Sequence, residues 1–424
     1  MKNIQMDSAI ARQTDREQLI EEFRRVRKYT ETLCAPLSVD DYQIQSIAQT
    51  SPPKWHIAHV TWFFEAFVLL DFDDHYECFD GRYDYLFNSY YYTHGKMHPR
   101  PDRGLLSRPT VEQIYRYRHS VDLAMERLMS DISASRWEAL AFRVTLGLNH
   151  EQQHQELLLM DIKHNFSVNP LKPAYRDDLS ETTKPGRAVA WVERTGGIYE
   201  IGSAEQGFAY DNETPRHKVL LRDHLLADRF VTNGEYLAFV EDGAYRQPAL
   251  WLADGWARIQ SEDWRAPLYW QSDGEWVQFT LGGLRPLEAD EPVCHLNYFE
   301  ADAYARWAGK RLPTEAELES MLADIPVTGH FADRERLHPE PAGENGQWFG
   351  DLWAWTASPY AAYPGFKPLA GSMGEYNGKF MSNQIVLKGG SCVTPPGHTR
   401  ASYRNFFYPD ERWAFTGLRL AEDM

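Results

Sequence analysis

Two histidine pairs stand out as groups that could do chemistry. In Asn149-His150-Glu151-Gln152-Gln153-His154-Gln155-Glu156 the histidines are four residues apart. On an α-helix that spacing puts both on one face, about one turn apart. Two imidazoles so placed can hold one metal ion. The bland alternative is a polar helix face. Leu146, Leu148, Leu157, Leu158 and Ile162 on either side instead mark the helix as part of a core, where buried histidines need partners. Glu156 is badly placed as a third ligand, since it is turned about 240° from His150 and about 200° from His154. A second apolar segment, Trp55-His56-Ile57-Ala58-His59, offers two more imidazoles. Either would complete a three-histidine site across two helices, and either could equally be a hydrogen-bonded core histidine. Periodicity does not choose between them. Three neutral imidazoles leave the ion's charge uncompensated and several positions open, which suits Zn(II) hydrolysis or Fe(II) holding both substrate and oxygen.

Other residues gather around this nucleus. Asn88-Ser89-Tyr90-Tyr91-Tyr92 supplies three consecutive phenols, able to donate a proton or stack on a cation; ordinary aromatic packing accounts for at least one. Arg100, Arg103 and Arg108 follow among prolines, and one of them could clamp a carboxylate. HEQQH also satisfies the zinc-protease pattern, with Glu151 as general base. That reading needs a further ligand downstream, where the stretch Asn169–Arg187 has only Asp177, Asp178 and Glu181 in what reads as a loop.

The elements that must position these groups are legible in the patterning. Four helices are predicted: Asp15–Cys34, Trp55–Leu70, Thr110–Leu128 and Ser135–Phe166, with apolar residues at helical spacing. One long connection, Asp71 to Arg108, makes them a four-helix bundle. A domain over 1–175 and a linker over 176–187, in the proline-containing stretch Asn169–Arg187, lead to a second domain over 188–424. There, short runs lie between Gly, Pro and Asp, with helices expected only at Asn233–Asp242, Tyr298–Ala308 and Thr314–Ala323. This is a loop-rich α+β texture. The 424 residues carry a net charge of −17, which argues against a nucleic-acid or anionic-membrane partner and for a small-molecule enzyme. Cys34, Cys78, Cys294 and Cys392 show no CxxC spacing, so no disulfide scaffold or cysteine-rich zinc site is expected. Met1–Lys28 has no apolar targeting segment and no run is long enough to span a membrane, so a cytoplasmic protein is expected. Oligomeric state is not legible.

Three blocks together resemble a known family. Pro52-Pro53-Lys54-Trp55-His56-Ile57-Ala58-His59 with Trp62-Phe63-Phe64-Glu65, and His150-x-x-x-His154-x-Glu156, are similar to the DinB-like bundle of ergothioneine sulfoxide synthases. The third block is similar to the formylglycine-generating-enzyme (sulfatase-modifying factor) domain, a C-type-lectin-like fold. Its marks are Gly196–Ser203, Trp307–Glu317, Trp353-Ala354-Trp355-Thr356, Lys388-Gly389-Gly390-Ser391 and Gly417-Leu418-Arg419. The resemblance spans nearly the whole chain. It implies a non-haem Fe(II) oxidoreductase that joins a thiol to C2 of the imidazole of hercynine (Nα-trimethylhistidine) with O₂, giving a sulfoxide. Carried over, His59, His150 and His154 would be the ligands, so the second histidine of the Trp55–His59 block is the one implied. Gln153 would touch the hercynine imidazole or carboxylate. Asn405 and Phe406 would cradle its trimethylammonium and carboxylate.

Departures refine the expectation. The γ-glutamylcysteine-using branch carries an Asp and an Arg just after the Asn-aromatic pair, where this chain has Phe407 and Glu411. The cysteine-using branch places a tyrosine pair from the bundle connection in the site. Tyr90 and Tyr91 resemble that pair, one donating a proton and steering away from thiol dioxygenation, with Arg100 for the cysteine carboxylate. The expected substrates are therefore hercynine, L-cysteine and O₂, with Fe(II) as cofactor. The alternatives are a γ-glutamylcysteine donor, a selenosugar donor as in selenoneine synthesis, or, in a different class, an HExxH zinc hydrolase. Formylglycine generation itself needs a cysteine pair after Gly-Gly-Ser, and here Cys392 stands alone.

Overall fold

The computed structural model describes residues 15–179, 184–204, 207–375 and 377–424. The chain divides into two compact units. The first holds the chain up to Val168 together with Ala204–Ala209 and Pro368–Tyr376; the second holds Asn169–Ser203, Tyr210–Lys367 and Asn377–Met424.

The first unit is an α-helical bundle. Asp15 caps α1 (Arg16–Cys34) by accepting from the Glu17 amide, and the helix buries Leu19, Phe23, Val26, Thr30 and Leu33 along one stripe. Pro53 at the first turn opens α2 (Pro53–Phe64), all of whose residues are buried. The predicted uninterrupted helix to Leu70 instead runs through a π-helical turn, Glu65–Leu69, into a last α turn, Leu70–Phe72. There the buried Glu65 accepts from Tyr76 Oη, the Phe79 amide and Tyr117 Oη. The long connection carries the short α3 (Tyr83–Phe87) and a 3₁₀ turn, Arg100–Leu105. A capping box between Thr110 and Gln113 starts α4 (Val111–Asp131), and α5 (Ala134–Ser167) is the longest helix. Gly147 lets α5 approach α2 closely, because a Cβ there would lie 2.6 Å from the Phe64 ring.

The second unit is α+β. Among its described residues β1 (Trp191–Arg194), β4 (His224–Ala227) and β14 (Ala421–Asp423) form one antiparallel sheet, ordered β1-β4-β14. A second sheet has the order β12-β11-β10-β13, with β10 at Trp353–Pro359, β11 at Ile385–Lys388, β12 at Asn405–Phe407 and β13 at Thr416–Gly417. Ribbons β2–β3 (Gly197–Ile201, His217–Leu221), β5–β6–β7 (Trp270–Asp273, Glu275–Thr280, Gly283–Pro286) and β8–β9 (Gly329–His330, Phe349–Gly350) complete the strands. The helices α6 (Asn233–Glu241), α8 (Tyr298–Trp307) and α9 (Glu315–Leu322) fall where predicted. An additional helix, α7 (Ala253–Glu262), was not expected, since Asp254-Gly255 reads as a turn. Gly255 is instead a packing residue, as a Cβ there would lie 2.6 Å from Phe299. The backbone amides of Tyr175, the last residue of the predicted first domain, and Arg176, the first of the predicted linker, donate to the Leu281 carbonyl within this unit.

Candidate metal centre

His150 and His154, one turn apart on α5, face His59 on α2, and donor nitrogens of all three lie within 4.8 Å of one another. His59 Nε2 and His150 Nε2 are 3.2 Å apart. That is the separation of two nitrogens each about 2.1 Å from one ion at an angle of about 100°. His59 is stacked between two rings of its own helix, Trp55 at 4.6 Å and Trp62 at 5.6 Å. Its Nδ1 donates to the Phe87 carbonyl at 2.5 Å, which turns Nε2 toward the cluster. His150 packs against Phe63 at 4.8 Å. Burial pushes all three imidazoles below their ordinary value, His150 to about 3, and proximity to one another adds to this for His59 and His154. At neutral pH they are therefore unprotonated, the form that ligates. The donor set fits a divalent ion, with no carboxylate joining it among the described residues.

Glu151, the base required by the hydrolase reading, points the other way. It is fully buried and accepts from Arg27 Nη1 at 2.8 Å, Thr30 Oγ1 at 2.6 Å and Arg118 Nη2 at 2.7 Å. Burial alone would raise its pKa. The two guanidiniums and the threonine outweigh that and hold it at about 2. It ties α1, α4 and α5 together and has no free oxygen to activate water.

Of the two Trp55–His59 imidazoles, His59 joins the cluster; His56 sits beside it, with Nδ1 2.9 Å from His154 Nδ1 and Nε2 2.9 Å from Asp161 Oδ2. Gln153 is half-buried on α5, just before His154. Tyr91 is fully buried, its ring 4.6 Å from Tyr90 and 5.8 Å from Trp62, the residue that stacks on His59. Burial raises the Tyr91 phenol, so it keeps its proton at neutral pH. Sequence reasoning missed Glu375. Its carboxylate accepts from the Tyr92 and Thr93 amides at 3.1 and 2.9 Å and holds the end of the tyrosine run. Separation of more than 280 residues hid that contact.

The arginines also sort. Arg100 is exposed and donates to the Gln49 carbonyl. Arg103 is 2% exposed and lies 3.4 Å over the Trp55 ring, bonded to Ser51 Oγ at 2.9 Å and Ser89 Oγ at 3.0 Å. Its Nε makes no hydrogen bond, and the carboxylate whose charge acts on it is Asp161. Burial, then the nearby Arg100, push its guanidinium well below the ordinary value. In the second unit Asn405, Phe406 and Phe407 form the edge strand β12, half-buried, with Phe406 stacked 4.0 Å from Tyr360 and Phe407 edge-on to Trp413 at 5.8 Å. Cys392 is buried and forms no disulfide.

A bundle that converges three neutral imidazoles defines a metal enzyme, and Glu151, the general base of the HExxH hydrolase reading, is locked in a structural ion pair. The comparisons sharpen this. The DinB superfamily profile matches residues 22–158, and the sulfatase-modifying factor enzyme 1-like domain matches 177–348 and 343–424. A hercynine oxygenase of Mycolicibacterium smegmatis is 36% identical over 67% of this chain and 72% of its own length. Another from Mycolicibacterium thermoresistibile is 32% identical over 88% of each chain. A formylglycine-generating enzyme of Streptomyces coelicolor is 30% identical over 44% of this chain and 62% of its own. The chain belongs to the hercynine oxygenase family, and it is an oxidoreductase whose three histidines form a non-haem Fe(II) site. Among the described residues no helix is long and apolar enough to cross a membrane.

Proposed function

We propose that this chain joins the thiol of L-cysteine to C2 of the hercynine imidazole with O₂, giving hercynylcysteine sulfoxide. The thiol S–H and the imidazole C2–H both break and the C–S bond forms. One oxygen atom ends on sulfur, and the other leaves with the two hydrogens as water, so O₂ takes up all four electrons. The observation that carries the reading is the carboxylate-free cluster of His59, His150 and His154 in a chain of this family. Iron(II) held by these residues would supply the redox chemistry with O₂ and open positions for two substrates.

The chain's own residues do the rest. Asn405 and Phe406 receive the trimethylammonium and carboxylate of hercynine, Phe407 adds apolar wall, and Gln153 orients the imidazole. An aromatic face suits a quaternary ammonium. Arg103 takes the cysteine carboxylate in preference to Arg100, because it is a buried guanidinium whose Nε has no hydrogen-bond partner. Tyr90 or Tyr91 holds a phenolic proton at Oη, gives it to the oxygen that leaves as water, and regains one from the hydrogens released by the thiol and C2.

The test is an anaerobic reconstitution with Fe(II), addition of hercynine and cysteine, admission of air, and parallel oxygen-uptake and mass measurements. A sulfoxide conjugate with hercynine-dependent uptake is expected. A conjugate only with γ-glutamylcysteine or a selenosugar would overturn the donor, and no uptake with any donor would overturn the reaction.

A further inference from the structure

His56 has the burial of a core histidine, 3% exposed, yet both its nitrogens are engaged in a line that ends on a metal ligand. Asp161 Oδ2 accepts the Ser51 amide at 2.7 Å and lies 2.9 Å from His56 Nε2. His56 Nδ1 in turn lies 2.9 Å from His154 Nδ1. His154 and Asp161 are seven residues apart on α5, two turns along the same face. His56 on α2 spans the gap between them.

Only one proton can occupy the space between His56 Nδ1 and His154 Nδ1. If it belongs to His56, a neutral His56 turns a bare Nε2 against the Asp161 carboxylate, and His154 carries its proton on Nε2, facing the cluster. If it belongs to His154, every contact pairs a donor with an acceptor. His154 Nδ1–H then donates to His56 Nδ1, and His56 Nε2–H donates to Asp161. His154 Nε2 is left with a free lone pair. With a neutral His56, a carboxylate that only accepts at the far end selects the second arrangement. His59 reaches the same end more simply, through the Phe87 carbonyl.

We propose that Asp161 and His56 are positioning residues that lock His154 in the tautomer and ring orientation able to bind the metal. Partners of this kind typically change metal affinity by about 10–100-fold when removed. The proposal rests on His154 being a ligand.

The experiment uses the full chain and Co(II), whose affinity is read by competition with a chromophoric chelator and whose coordination is read from its visible spectrum. Asp161→Leu removes the acceptor at the far end of the line at similar side-chain volume. His56→Leu removes the middle of the line. His56→Gln keeps it, because the carboxamide oxygen accepts from His154 Nδ1 and its NH₂ donates to Asp161. The expected result is Co(II) binding weakened roughly 10–100-fold in Asp161→Leu and His56→Leu with an altered spectrum, and near wild-type binding in His56→Gln. Metal-free thermal stability is read beside each affinity. Wild-type affinity and spectrum in both leucine variants would overturn the relay alone. So would equal weakening in all three variants that follows their loss of thermal stability, since only packing would then be at stake. A wild-type chain that binds no stoichiometric Co(II), or a His154→Ala variant that binds it normally, would overturn the metal-site reading itself and the relay with it.

Discussion

Replacing Glu151 by glutamine separates the two chemistries that HEQQH permits. The carboxylate is buried between Arg27 and Arg118, with its pKa held at about 2 against an ordinary 4.5. A difference of about 2.5 units corresponds to roughly 3 kcal/mol of folded-state stabilisation by the ionised form. That agrees with the about 3–5 kcal/mol lost when one member of a buried ion pair is removed. The variant leaves Arg27 with Asp122 at 2.7 Å, while the new NH₂ must face a guanidinium or Thr30. At about 2–4 °C per kcal/mol, the metal-free chain should melt about 6–12 °C lower, followed by far-UV circular dichroism. The pH dependence has a definite sign. A depressed carboxylate pKa stabilises fully above 4.5, and the effect is lost as pH falls toward about 2. The gap between wild type and Glu151→Gln should therefore close across that window. Metal stoichiometry and turnover per bound metal should stay within a few-fold of wild type at a temperature where both are folded. An unchanged melting temperature together with turnover lost at full metal occupancy would refute the reasoning and restore Glu151 as a catalytic base.

Gly147→Ala should destabilise the bundle by about 1–3 kcal/mol despite the better helix propensity of alanine, because its Cβ would lie 2.6 Å from Phe64 and 3.0 Å from Phe63, which packs on His150. Calorimetry and Co(II) titration would register both the lower melting temperature and weaker metal binding. Cys392→Ser should leave the yield of sulfoxide conjugate within about twofold once folding is matched, because the buried thiol is in no disulfide and behaves as a small core side chain; product mass detection reads this, and abolished turnover would argue for thiol chemistry. Arg103→Met keeps an unbranched side chain beside Trp55 but removes the guanidinium that lies over its ring. The KM for cysteine should rise about 10–100-fold, as for loss of a charged hydrogen bond, with the KM for hercynine little changed.

Much of this molecule follows from local spacing. The four-residue interval of His150 and His154 and the helical spacing behind Asp15–Cys34, Thr110–Leu128 and Ser135–Phe166 are read off the chain because they act within one or two helical turns. The order of the motif blocks carries the two-domain family assignment. What lies across a helix face does not follow from spacing. His56 and His59 are both almost fully buried, at 3% and 0% exposed, and only the packing of α2 on α5 sends one to His150 and the other to Asp161. Arg100 and Arg103 share a 3₁₀ turn, in which residues three apart eclipse, yet only Arg103 is buried on Trp55. Glu151 sits beside a metal ligand in sequence but one residue turns it about 100° around the helix. The arginines that claim it come from α1 and α4, residues 124 and 33 positions away. Periodicity determines which side chains share a face, because helix geometry is local. Which groups meet that face is decided by long-range packing, and with it the split between ligand, positioning partner and structural ion pair.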